Sequence, residues 1–174
     1  MGNTATPEFL IARWDELCRD PSLADLPYKI ELNAWGKVEM GPPPGVGHGH
    51  QQTELALQLR QQRPGGGVIT ECPVLTAIGV RVPDVVWASD EFRKQHKRSS
   101  PLPRAPEICV EIFSPSNVEA EIAEKTRAYL DAGAEEVWVV AQNGSIRYID
   151  RSGERLQSRF PVALKLPDVT TDYL

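Results

Sequence analysis

The chain has 174 residues, of which 41% are hydrophobic and 25% charged, an ordinary globular composition that can bury roughly 70% of its unfolded surface in one core. No run approaches the ~18 apolar residues of a membrane span, no basic-then-apolar leader opens the sequence, and Cys18, Cys72 and Cys109 lack paired spacing, so we expect one cytoplasmic domain with three buried, reduced thiols rather than a membrane protein or disulfide scaffold. A net charge of −5 argues against a uniformly basic nucleic-acid binder, so any basic surface must be local.

Thr6 followed by Pro7 predicts a helix start, with Leu10, Ile11, Trp14, Leu17 and Cys18 at helical spacing. Pro21 and Pro27 then frame a turn. Over residues 28–40, Tyr28, Ile30, Leu32, Val38 and Met40 predict a hairpin turning near Gly36. A Gly/Pro-rich loop covers residues 41–47, and a helix is expected over residues 50–63, stopped by Pro64 and three glycines. Strand-like runs follow at residues 68–72, 80–87 and 108–113. Arg93, Lys94, His96, Lys97, Arg98 and Arg104 lie between the last two runs with no acid among them. The strongest helix signal covers residues 116–132, with Ser116 and Glu119 spaced as a capping box and Gly133 as the stop. Strands at residues 137–140 and 146–149 flank the turn pair Asn143-Gly144.

Three residues break these patterns. Asp84 in Arg-Val-Pro-Asp-Val-Val-Trp and Glu111 in Glu-Ile-Cys-Val-Glu-Ile-Phe are carboxylates inside apolar runs, where a charge is costly unless it is paired or binds a metal. In the third run Ile108, Val110 and Ile112 should pack inward, which turns Glu111 toward a cleft beside Cys109 and Phe113. On the long helix Val118, Ile122, Lys125 and Tyr129 form one stripe, so Lys125 stands where an apolar side chain is usual. Two oxygen ligands and one cation are the parts needed for magnesium-assisted phosphodiester cleavage.

The ordered set Pro83-Asp84, Glu111, Ser114-Pro115-Ser116, Lys125, Tyr129 and Trp138 resembles the Uma-type, restriction-endonuclease-like branch of the PD-(D/E)XK nuclease superfamily. The resemblance implies a single α/β domain over residues 1–174, with a central mixed sheet flanked by helices and an N-terminal helix and hairpin. It implies a magnesium-dependent (or manganese-dependent) endonuclease acting on DNA. Asp84, Glu111 and the carbonyl of Ile112 would hold the ion, and Lys125 would assist the attacking water. Glu31 and His50 match an early-strand Glu and a helix-start His of this branch, as supporting residues. If the strands of Asp84 and Glu111 are neighbours, Arg93, Lys94, Lys97, Arg98 and Arg104 should overhang the site and bind nucleic acid. A homodimer is implied, its mate covering the last hairpin with Trp138 and Tyr148. The superfamily's lysine two residues after the acid is replaced here by Phe113, a departure that Lys125 would fill. The competing reading is an inactive nucleic-acid-binding or protein-interaction module that keeps the fold.

Overall fold

The computed structural model describes residues 4–24, 26–114 and 118–171. Its elements are α1 (Pro7–Arg19), β1 (Lys29–Asn33), β2 (Val38–Gly41), α2 (Val46–Gln62), β3 (Gly66–Thr70), β4 (Val74–Thr76), β5 (Gly79–Arg81), β6 (Val85–Ser89), α3 (Asp90–Gln95), β7 (Ile108–Ile112), α4 (Glu119–Asp131), β8 (Glu136–Val140), β9 (Ile146–Asp150) and β10 (Gly153–Arg155). A four-stranded sheet has the order β2-β1-β5-β4, and a six-stranded sheet the order β10-β9-β8-β7-β6-β3. The larger sheet is mixed, because β7 and β8 are parallel across the α4 crossover while its other pairs are antiparallel.

The hydroxyl of Thr6 accepts a hydrogen bond from the Phe9 N–H, capping α1. Leu10, Trp14 and Leu17 of that helix bury against Leu32 and Val80 of the smaller sheet and Val82 just beyond β5. Cys18 is exposed rather than buried, because it lies one residue, about 100° of helix, past Leu17. The hairpin turns as expected, with Gly36 at φ +75. The second helix begins at Val46, inside the stretch read as loop.

Both faces of the larger sheet are covered. On one, Ile108, Val110 and Ile112 pack with Val85, Trp87, Trp138 and Val140 against Leu55 and Leu59 of α2. On the other, Val86, Cys109 and Val137 meet Tyr129 and Leu130 of α4. The inward face of α4 carries Ile122, Lys125 and Tyr129 as expected, but Val118 is 63% exposed. Val118 is the N-cap, and so lies outside the helical stripe. Ser116 of the expected capping box lies outside the described residues.

The chain beyond β10 returns along α2, its Phe160, Val162, Leu164 and Leu166 packing against the core. Two glutamines hold this strap by its backbone. Gln58 donates to the Lys165 carbonyl at 2.8 Å and accepts from its N–H at 2.9 Å, and Gln62 does the same with Ala163 at 3.0 and 2.7 Å. Gln51, fully buried, donates to Ala141, Gln142 and Pro167 carbonyls. The strap thus covers the face of the β8–β9 hairpin that Trp138 and Tyr148 line. Trp138 is buried edge-on against Tyr148, and β10 lies along β9.

Candidate active site

The run read as one strand over residues 80–87 is two strands in different sheets. Pro83 has no N–H to continue a ladder, and here the chain leaves β5 of the smaller sheet and enters β6 of the larger. Asp84 sits at that crossing. Its carbonyl accepts from the Glu71 N–H at 3.1 Å and from Gln52 Nε2 at 2.9 Å. Its carboxylate Oδ2 accepts from the Ile112 N–H at 2.6 Å. Asp84 is thus pinned to the end of the neighbouring strand, because Val85 pairs with Val110 in the antiparallel register of β6 and β7.

Glu111 leaves β7 on the side facing α4. It is buried beneath that helix rather than in an open cleft, with 4% exposure. The Tyr129 hydroxyl donates to its Oε1 at 2.6 Å, and Lys125 Nζ lies 4.0 Å from the same oxygen. Lys125, 8% exposed, also reaches both carboxylate oxygens of Glu31 at 3.1 Å. Glu31 comes from β1 and accepts further bonds from the Val82 N–H at 2.8 Å and Arg81 at 3.1 Å. Arg81 continues to Glu39 at 2.6 Å. The smaller sheet therefore supplies the carboxylate that holds the lysine of α4 beside the acid of the larger sheet.

A second group approaches Asp84 Oδ1. Lys29 Nζ lies 2.6 Å away and also 3.5 Å from Glu71 Oε2. His48 Nε2, from the first turn of α2, lies 3.5 Å from the same Asp84 oxygen. Donor atoms of His48, Glu71 and Asp84 all fall within 4.8 Å of one another. Across the whole constellation Glu31, Glu39, Glu71, Asp84 and Glu111 outnumber Lys29, Arg81 and Lys125, leaving a surplus of negative charge. Carboxylate oxygens with an imidazole, converging and underneutralised, are a donor set that fits a hard divalent cation such as magnesium or manganese.

The two buried acids titrate in opposite directions. Burial pushes Glu111 up to about 7; Lys125 opposes that rise and Asp84 adds to it. Burial would also raise Asp84, but the Lys29 ammonium and the hydrogen bond to His48 outweigh it and hold this carboxyl well below the usual range. Burial likewise works against the Lys125 ammonium, yet Glu111 and Glu31 more than compensate, so Lys125 stays charged.

Glu111, Lys125 and Glu31 are brought into contact from three elements, while Asp84 lies at the neighbouring strand end, where its donor atoms converge with those of His48 and Glu71. Ile112 takes part through its N–H, and the imidazole facing Asp84 is that of His48, two residues before His50. The basic segment is placed differently from the expectation. It begins in α3 and leaves β6 at Ser89, whereas Asp84 lies at the other end of that strand. Five strand residues, roughly 17 Å, separate the two. Arg93 lies against Gly67 of β3, and Arg104 reaches the Gly133 carbonyl past the end of α4. The connection that carries Arg93, Lys94, Lys97, Arg98 and Arg104 thus departs and returns at the Ser89 and Ile108 ends, remote from Asp84, and touches β4 of the smaller sheet at Leu102. A hollow of about 300 Å³ between α4 and β9, lined by Ile122, Thr126, Leu130, Arg147 and Glu154, includes neither Asp84 nor Glu111.

Lys29 and Glu71 carry no signal in the sequence, and His48 and His50 alone are not a metal signature. Lys29 alternates with Ile30 and Leu32 like any strand residue, and Glu71 sits in a turn, at φ +49. What distinguishes His48 is its place in the first turn of α2, which brings its imidazole to Asp84.

A mixed sheet flanked by helices, carrying a pair of buried acids and a helix-borne lysine at one end, defines a nuclease-like α/β protein. The chain belongs to the Uma2 family, described as "Putative restriction endonuclease", whose family profile matches residues 14–170. No curated protein matches it. Among solved structures it is similar to a "putative nuclease belonging to DUF820" from Anabaena variabilis ATCC 29413, with a TM-score of 0.61, 16% identity, and coverage of 77% of this chain and 81% of that one. At that identity the likeness concerns the fold. No helix among the described residues is long and apolar enough to cross a membrane.

Proposed function

We propose that the protein is a divalent-metal-dependent endonuclease that hydrolyses DNA phosphodiester bonds at the Asp84–Glu111–Lys125 site. The observation that carries this reading is the burial of Asp84 and Glu111 at the same end of adjacent strands, Asp84 accepting from the N–H of Ile112, the residue after Glu111, with an ammonium 4.0 Å from Glu111. Asp84 and Glu111 would hold magnesium or manganese, with His48 and Glu71 as further donors and the Ile112 carbonyl as the ligand implied by family resemblance. When bound, the ion supplies an acidified water and neutralises charge on the phosphate.

The chain's own groups divide the remaining work. The Ile112 N–H holds the Asp84 carboxylate and the Tyr129 hydroxyl holds that of Glu111, which fixes both acids at little further entropic cost. Lys125, kept charged by Glu31 and Glu111, acts as an electrostatic stabiliser of the crowded phosphate rather than as a base. Glu31 positions it. Phe113 leaves no lysine on the strand, so this ammonium must come from the helix. The alternative, an inactive module retaining the fold, lacks a reason to keep Lys125 buried beside two acids when an apolar residue would pack at lower cost. A two-fold dimer belongs to the proposal on family resemblance alone, because the hairpin expected to need a mate is covered within the chain.

The test is calorimetric titration with Mn²⁺ and cleavage of duplex DNA, using the parent, Asp84→Asn and Glu111→Gln. Binding and cleavage in the parent, both lost in each variant that remains folded, is the expected result. Metal binding unchanged in both variants would remove the site.

A further inference from the structure

Lys29 is not among the catalytic parts assigned above, yet it makes one of the shortest ion pairs in the site. Its ammonium is 2.6 Å from Asp84 Oδ1 and 3.5 Å from Glu71 Oε2, while His48 Nε2 is 3.5 Å from the same Asp84 oxygen. Asp84, Glu71 and His48 are the group whose donor atoms lie within 4.8 Å of one another. An ammonium therefore already stands among the donors that would receive a divalent ion.

Its placement also bears on entry. The Asp84 side chain is 4% exposed, whereas those of Lys29 and Glu71 are 22% and 48% exposed. Lys29 thus lies between the buried carboxylate and water. It stands at the first residue of β1, paired with Gly41 at the end of the hairpin, and its flexible four-carbon stem can withdraw the ammonium without moving the strand.

From this geometry we infer that Lys29 is a resident counter-cation of the metal site, occupying the seat at Asp84 and Glu71 until a divalent ion displaces it. The inference rests on the metal-site reading above. Two cations cannot share one carboxylate oxygen at contact distance without strong repulsion, so metal entry requires the ammonium to swing outward. The lysine then sets the affinity. It keeps the metal-free site compact, and it subtracts its own ion-pair energy from every binding event, as any competing ligand does.

Two measurements on the full chain test this. Replacing the ammonium in Lys29→Met should tighten Mn²⁺ binding by about tenfold or more in calorimetry, since an ion pair to a nearly buried carboxylate exceeds the ~1.4 kcal/mol of one decade. In the unaltered protein, reaction of Lys29 with an amine-acylating reagent, followed by mass spectrometry, should be slow without metal and accelerate severalfold with saturating Mn²⁺. This second measurement needs no variant, so a Lys29→Met chain that fails to fold leaves the inference testable. Mn²⁺ affinity that is equal or weaker in a folded Lys29→Met protein would overturn the inference while leaving the metal site standing. Lys29 labelling that ignores Mn²⁺ in a parent that binds it would do the same. Absence of Mn²⁺ binding in both parent and folded variant would instead overturn the metal reading, and the inference with it.

Discussion

Substituting Glu111→Gln should invert the ordinary effect of removing a buried charge. The Glu111 carboxyl is 4% exposed, and burial together with nearby Asp84 carries its pKa from an ordinary 4.5 to about 7, against the pull of Lys125. The folded chain then holds this proton more tightly than the unfolded chain. Its stability must fall as pH rises from about 4.5 to about 7, and level off above. At about 1.4 kcal/mol per tenfold change in proton affinity, the loss amounts to about 3 kcal/mol. A glutamine keeps a carbonyl to accept from the Tyr129 hydroxyl but has nothing to ionise, and Lys125 retains Glu31 as partner. The assay is urea or thermal unfolding of parent and variant at pH 5 and pH 8, with a chelator present. Relative to the parent, Glu111→Gln should gain about 3 kcal/mol between those two pH values, or roughly 6–12 °C in melting temperature for a chain of this size. Saturating Mn²⁺ at pH 8 should stabilise the parent and not the variant. If the two proteins instead follow parallel curves from pH 5 to pH 8, the raised proton affinity is refuted, and with it the account of a strained, underneutralised acid pair.

Further expectations concern rate, assembly and packing. Lys125→Ala should lower cleavage by roughly 10²–10³ with Mn²⁺ affinity little changed, and adding Phe113→Lys should restore part of it; cleavage at the parent rate would make the lysine structural. Charge reversal of Lys94, Lys97 and Arg98 together should leave cleavage within about threefold, because that segment lies at the far strand end; a large loss would restore it to the DNA path. Light scattering should give about twice the 19.3 kDa chain mass, and a monomer at every concentration would remove the dimer. Leu59→Ala, at a fully buried position between α2 and the sheet, should cost about 2–5 kcal/mol in urea unfolding.

Where residues sit on a regular repeat, the sequence revealed their neighbours. The stripe of α4 placed Ile122, Lys125 and Tyr129 inward, and the period-two alternation of β7 separated Ile108, Val110 and Ile112 from Cys109 and Glu111. Asp84 and Glu111 stood out because charges rarely survive in apolar runs without partners. What stayed hidden depends on which strands lie side by side. Pro83 was the visible hint that residues 80–87 form two strands, but only the sheet order shows that Asp84 marks a crossing between sheets. Because β6 and β7 are antiparallel, the long connection between them had to leave from the end remote from Asp84, which the charge run alone could not disclose. Lys29 and His48 acquire meaning only through contacts 55 and 36 residues along the chain. Three-residue β4 and six-residue α3 are too short to show a period of their own.

The glutamine-held strap carries a dimensional consequence. Gln58 and Gln62 are one helical turn apart, about 6 Å along the axis, while their partners Lys165 and Ala163 are two extended residues apart, about 6.6 Å. The repeat of a helix and the repeat of an extended chain are thus commensurate over this stretch, and each rung fits only if the other does. A shift of α2 along its axis by one residue would put both amides out of step at once. The helix is therefore indexed by the tail of the chain, and its first turn carries His48. The distance between that imidazole and Asp84 is set partly by residues more than a hundred positions downstream, so deleting a single residue between Ala163 and Lys165 should misplace a side chain at the opposite end of the helix.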